Sequence, residues 1–298
     1  MKTPRLICLL SLWLGFAQWG IANTLFPGFI IDQKWLLAHW DVPKLVILDV
    51  RSKTEYDLGH IDKAVNLPVS VTFHRPPRDD LRAPLSDLRK HFGVAGIDNQ
   101  SHIVIYDGGS TIDAARMVWV FQSAGHAQVA LLNGGFPAWN EAQRATTTEP
   151  FIAQKKQFIP SASPDHYATK LGTRLAINNK RVMIIDARSE AEYQGLSSKG
   201  ARFGHIPNAI NVPFNLNFTK KNNIVYLKKT DELRKIYQMM GKDRAAITYC
   251  NRGKQSALTY LILRDLGYEA KAYDGSWHEW SQDPTLPVIS PAPPFEKP

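Results

Sequence analysis

Short apolar runs, mostly β-branched, recur along the chain: Val46 to Leu48, Ile103 to Tyr106 and Val129 to Leu132, then Met183 to Ile185, Ala246 to Tyr249 and Ala270 to Tyr273. Runs of that length without polar alternation predict parallel strands covered on both faces. Between the last two runs, Leu258, Leu261, Ile262 and Leu266 return at helical spacing, and Gly267 supplies a C-terminal stop as Gly125 does earlier. Alternating strands and helices predict an α/β protein whose parallel sheets carry helices on both faces. Ligands of such sheets lie beyond the carboxyl ends of the strands, where Asp107 and Cys250 stand.

The pattern is also a duplication. Val46-Ile47-Leu48-Asp49-Val50-Arg51-Ser52 matches Met183-Ile184-Ile185-Asp186-Ala187-Arg188-Ser189, and Glu55-Tyr56 matches Glu192-Tyr193. Gly59-His60-Ile61 then meets Gly204-His205-Ile206, and Asn66-Leu67-Pro68 meets Asn211-Val212-Pro213. Further on, the strand ending at Asp107 answers the strand ending at Cys250, and Asn133-Gly134-Gly135 with Trp139 answers Asp274-Gly275-Ser276 with Trp280. The order is preserved throughout, so the chain holds two copies of one domain, assigned to residues 23–144 and 157–298. The Thr-rich, polar stretch 145–156 between them reads as a linker.

Ahead of the first copy, Lys2 and Arg5 precede an apolar run from Leu6 to Ala17, followed by Gly20-Ile21-Ala22. This is the form of a secretory signal peptide over residues 1–22, which predicts a periplasmic or secreted mature protein. The alternative is a retained anchor, but the run is broken by Gly15, Gln18 and Gly20 and is short for a bilayer span. No stable membrane association is therefore expected after cleavage. Cleavage also removes Cys8 and leaves Cys250 as the single thiol, which is a liability in an oxidising compartment unless it does chemistry.

Composition narrows the function. The 298 residues are 44% hydrophobic, enough for real cores. Lys+Arg total 36 against Asp+Glu 27, a net charge of +9 that is spread along the chain and not gathered into a basic arm. That distribution gives no support to nucleic-acid binding and favours small anionic substrates. Two cysteines without well-spaced histidines do not make a zinc cage.

The chemistry concentrates in Cys250-Asn251-Arg252-Gly253-Lys254-Gln255, which leaves a strand, with Ser256 expected to open a helix. A loop this short turns backbone N–H groups inward at the positive end of the helix, while Arg252 and Lys254 add full charges and Gly253 gives the turn its freedom. These features favour a thiolate nucleophile at Cys250.

The duplicated domain, the Asp-x-Arg after the first long strand, the Gly-His-Ile turn, Tyr273-Asp274-Gly275-Ser276-Trp277 and the Cys-x-x-Gly loop together resemble the rhodanese superfamily. The resemblance implies a tandem sulfurtransferase in which only the second copy is active, Asp107 standing where the first copy would carry its cysteine. It further implies that Cys250 takes a sulfane sulfur from a small anionic donor such as thiosulfate and passes it, as a persulfide, to cyanide or a thiol. The N–H groups from Asn251 to Ser256 would cradle that persulfide, and the resemblance implies no metal or organic cofactor; a protein partner is left undefined.

In the larger two-domain sulfurtransferases a second arginine usually precedes the aromatic residue of this region, and here that position is Glu192. The loss favours thiosulfate over 3-mercaptopyruvate, whose carboxylate suits an arginine fork. Arg252, Lys254 and either Lys199 or Arg202 are then expected to supply the positive field. Arg188 is a candidate for substrate contact, though an Arg beside Asp186, repeated as Arg51 with Asp49, also fits a structural clamp. His60 and His205 occupy equivalent turns and read as structural; His74 and His278 are open candidates for the active-site surroundings. A cysteine phosphatase or arsenate reductase would need an arginine where Ser256 stands. A 3-mercaptopyruvate sulfurtransferase and a non-catalytic sulfur carrier remain alternatives.

Overall fold

The computed structural model describes residues 25–74, 81–241 and 243–290, so the predicted signal peptide lies outside the described residues. The first sheet contains β1 (Ile30–Ile31), β2 (Leu45–Asp49), β3 (Ala64–Asn66), β4 (His102–Tyr106) and β5 (Val129–Leu132), all parallel, in the spatial order β1-β5-β4-β2-β3. The second contains β6 (Tyr167–Ala168), β7 (Val182–Asp186), β8 (Ala209–Asn211), β9 (Ala245–Tyr249) and β10 (Ala270–Tyr273), in the equivalent order β6-β10-β9-β7-β8. The duplication in sequence is thus a duplication in topology. All six predicted strands are present, lengthened by a residue or two at most. The edge elements β1, β3, β6 and β8 are two or three residues long, too short to leave a periodic signature.

Strand alternation divides the core into layers. In β2 and β4, Leu48, Ile103 and Ile105 face a central core shared by both copies, while Ile47, Val104 and Tyr106 face an outer core that includes Leu36 and Trp139. The second sheet does the same, with Met183 and Ile185 turned inward and Ile184, Tyr249, Trp277 and Trp280 outward. At the centre, helix α1 (Ile112–Ser123) packs on α2 (Lys254–Asp265) across the copies. Both are buried around most of their circumference, which explains why neither reads as a one-sided amphipathic helix. Their polar side chains pair across the interface: the Tyr260 hydroxyl donates to Gln122 Oε1 at 2.7 Å, and Trp119 Nε1 donates to the His166 carbonyl at 2.8 Å.

The stretch read as a linker is anchored. Thr146–Thr147 pair antiparallel with His60–Ile61, and just past the stretch Phe158, assigned to the second copy, is buried against Phe92 and Phe121 of the first. Ser161 and Ser163 still donate to the first copy's Ala124 and Ser123 carbonyls. The second sheet begins only at Tyr167.

Candidate active site

Cys250 follows β9 directly and is 1% exposed. Its N–H donates to Ser276 Oγ at 3.2 Å. Its carbonyl accepts from Trp277 N at 2.9 Å, and that of Asn251 accepts from His278 N at 3.1 Å. Across a trans peptide the C=O and the following N–H point opposite ways, so these two tethers turn the N–H groups of Asn251 and Arg252 away from the 276–282 helix and into the loop. Arg116 Nη1 approaches the Gly253 carbonyl at 3.4 Å and turns the Lys254 N–H likewise. Gly253 has φ +75°, and a Cβ on it would lie 2.5 Å from Asp274 Oδ1 and 2.8 Å from Arg116 Nη1. Only glycine fits there. Because Gly253 makes this left-handed turn, α2 starts at Lys254, two residues before the predicted start at Ser256.

The first copy shows what such a loop does to an anion. Asp107 Oδ1 accepts the N–H groups of Gly109 at 2.8 Å and Thr111 at 3.1 Å. Oδ2 accepts those of Asp113 at 3.2 Å and Ala114 at 3.3 Å, plus the Ser110 hydroxyl at 2.9 Å. Burial pushes the Asp107 carboxyl up, and these donors oppose that push. The first copy's cradle is filled by its own side chain.

The predicted site residues divide. Asn251, Gly253, Gln255 and Ser256 lie in the loop or the first turn of α2, with Arg252 exposed; Ser256 Oγ and Asn251 Oδ1 are buried without a hydrogen-bond partner. Arg188, a candidate for substrate contact, is instead a clamp. Its Nε and Nη2 grip Asp186 at 2.6 to 3.1 Å, and Nη2 also donates to the Gly204 carbonyl. Tyr249 donates to the same carboxylate at 2.6 Å, and Arg51, Asp49, Gly59 and Tyr106 repeat the cluster in the copy without a cysteine. Arg202 is likewise withdrawn from the donor field: its guanidinium donates to the carbonyls of Trp280, Ser281, Asp283 and Leu286 at the end of the last helix. Lys199 is exposed and acts on Glu192. Lys254 forms an ion pair with Asp113 of the first copy.

His60 and His205 stack on Tyr56 and Tyr193 and hydrogen-bond their carbonyls through Nδ1. His278 contributes its backbone to the loop, while its ring meets Gln282. His74 lies in the first copy's connection near Arg82, whose N–H reaches Asp274 of the second copy.

Glu192 is neither empty nor idle. Oε2 accepts from Ser189 N and Oγ, closing a capping box, and Oε1 accepts from Asn251 Nδ2 at 2.9 Å. Burial opposes its charge, but the hydrogen bonds from Asn251 and Ser189 outweigh that and hold the carboxyl below the usual glutamate range.

Sequence reading placed Asp274 and Ser276 in a repeated motif without giving either a role, and missed Arg116 and Asp113. Ser276 adopts φ +50°, which is strained for a serine, and its hydroxyl donates to the Tyr273 carbonyl while accepting from Cys250 N. Arg116 is the one basic residue inside the apolar run of α1, a signal that was available. Asp274 carried only its place in the repeated motif, and Asp113 carried none. Among the described residues no group of three or more His, Cys, Asp or Glu side chains is placed to hold a metal ion.

Comparison with known proteins agrees with the geometry. The profile of the rhodanese-like domain matches residues 32–142 and 172–283. A thiosulfate sulfurtransferase of Azotobacter vinelandii is 31% identical over 269 residues, covering 87% of this chain and 96% of the relative. The sulfur carrier protein TtuD of Thermus thermophilus is 30% identical, covering 88% of this chain and 96% of its own. Among solved structures, SseA of Escherichia coli, described as a 3-mercaptopyruvate sulfotransferase, superposes with a TM-score of 0.72 at 27% identity, covering 84% of this chain and 99% of that one.

Proposed function

The chain belongs to the rhodanese family, as a tandem-domain sulfurtransferase, and from that premise we propose that it moves a sulfane sulfur from thiosulfate to cyanide or a thiol through a persulfide on Cys250. The observation that carries this reading is the cradle. In the first copy five donors converge on a carboxylate, and in the second the equivalent loop starts at a buried cysteine at a strand's carboxyl end. The Cys250 thiolate attacks the outer sulfur of the donor, a new S–S bond forms, and sulfite leaves with the electron pair of the bond that breaks. The inward N–H groups and the N-terminus of α2 stabilise the negative terminal sulfur. A nucleophilic acceptor then takes that sulfur, and the Cys250 thiolate leaves.

The donor is tested by intact mass spectrometry and by kcat/KM. Incubation with thiosulfate should add a single sulfur to the protein, and thiosulfate should exceed 3-mercaptopyruvate in kcat/KM because no arginine occupies the Glu192 position. A higher value for 3-mercaptopyruvate would move the assignment to that donor. Likeness to a sulfur carrier supports a second reading, in which the persulfide is handed to a protein and free cyanide is a poor acceptor. Sulfur loading without thiocyanate turnover would select it. The leader pattern supports a periplasmic setting, and amino-terminal sequencing of the mature protein should then begin at Asn23; finding Met1 would reject cleavage.

A further inference from the structure

The charge that sequence assigns to the donor is already engaged. Lys254 lies in the first turn of α2, four residues past Cys250, and its ammonium pairs with Asp113 Oδ1 across the domain interface. Asp113 sits in the first turn of α1 and is held there by its own N–H, which donates to the Asp107 carboxylate in the first copy's filled cradle. The side chains are 40% and 31% exposed, so solvent and salt reach the pair from the Lys254 side, while the pairing oxygen of Asp113 is itself covered. At the loop's other end Glu192 holds Asn251. Two carboxylates therefore stand beside a loop whose charged side chains are Arg252 and Lys254.

We propose that Asp113, supplied by the copy that lacks a cysteine, is a specificity-determining residue: by neutralising Lys254 it lowers the affinity of the Cys250 site for dianionic sulfur donors relative to singly charged ones. The proposal rests on the sulfurtransferase reading. An ion pair presents little net charge to an approaching anion, whereas a lone ammonium attracts it in proportion to the anion's charge. Thiosulfate, a dianion, must therefore feel the loss of Asp113 about twice as strongly, on a logarithmic scale, as 3-mercaptopyruvate with its single carboxylate. The silent copy thereby acts on donor choice without touching the donor.

The test is a double-mutant cycle on the full chain, with KM for both donors measured at low and high salt. Asp113→Asn keeps the side chain's shape and the backbone donor to Asp107. It should lower KM for thiosulfate roughly three- to tenfold at low ionic strength, with kcat within about twofold, and high salt should shrink the gain. For 3-mercaptopyruvate the factor should be near the square root of that. Lys254→Gln should raise KM for thiosulfate, and the double variant should return close to the wild type. An unchanged KM in Asp113→Asn, equal factors for the two donors, or a gain that survives Lys254→Gln would overturn the proposal. Intact mass of the wild type separates the two levels: failure of every donor to load sulfur on Cys250 rejects the sulfurtransferase reading, while normal loading with an insensitive Asp113→Asn rejects only this one.

Discussion

Cys250→Ser is expected to reduce thiocyanate formation from thiosulfate and cyanide by roughly a thousandfold or more, because a serine hydroxyl does not form the sulfur-sulfur bond on which double displacement depends. The fold should be unaffected. What the structure asks of residue 250 is its backbone: the N–H to Ser276 Oγ and the carbonyl that receives Trp277 N. Serine supplies both, and it replaces a side chain of nearly the same size. A thermal melt within a few degrees of the wild type, together with loss of the added sulfur in the mass spectrum, would locate the effect in the chemistry. Retention of more than trace turnover would sink the persulfide route.

Arg116→Ala should carry the largest stability cost of any single change at the domain interface. Arg116 and Asp274 are both fully buried and ion-paired, Arg116 from the first copy and Asp274 from the loop after β10. The guanidinium also lies 4.5 Å from the Phe73 ring centroid and 4.6 Å from that of Trp119. Removing it leaves a buried carboxylate that keeps the Arg82 N–H and the nearby charge of the Arg82 guanidinium, so the cost should fall toward the lower end of the about 3–5 kcal/mol that breaking a buried pair carries. Activity should fall as well, because the same guanidinium backs the Gly253 carbonyl and so shapes the cradle. Replacing both partners, as Arg116→Met with Asp274→Asn, should recover part of the stability, since no buried carboxylate is left without Arg116, while Arg82 loses the charge it faced. Urea denaturation of the three variants checks this; a cost below about 1 kcal/mol for Arg116→Ala would show that the ion pair does not hold the copies together.

Glu192 shows how a residue can carry a second role that its place in a motif does not announce. As a break in a motif it meant a missing arginine; in the structure it is a tether that orients Asn251 and caps a short helix. Lys254 and Arg202 show the same in reverse. Each was counted as free positive charge by composition, and each is paired, one with Asp113 and the other with four carbonyls.

By itself the sequence determined the duplicated α/β architecture, the six long strands, and the short loop that starts at Cys250 where a strand ends. These follow from local pattern: apolar runs, a glycine where the chain must turn left-handed, and a motif repeated in order. Only the tertiary structure decided that the first copy's cradle is satisfied by Asp107, that Arg188 is a clamp, and that α1 brings Asp113 and Arg116 to the active loop. The first two are local, made by donors two to seven residues past Asp107 and by Asp186 two residues before Arg188, but they need side-chain geometry; the third depends on pairs more than a hundred positions apart, Arg116 with Asp274 and Asp113 with Lys254. No periodicity records such pairs, because a charge carries no local sign of which partner, if any, the packed chain will bring within reach.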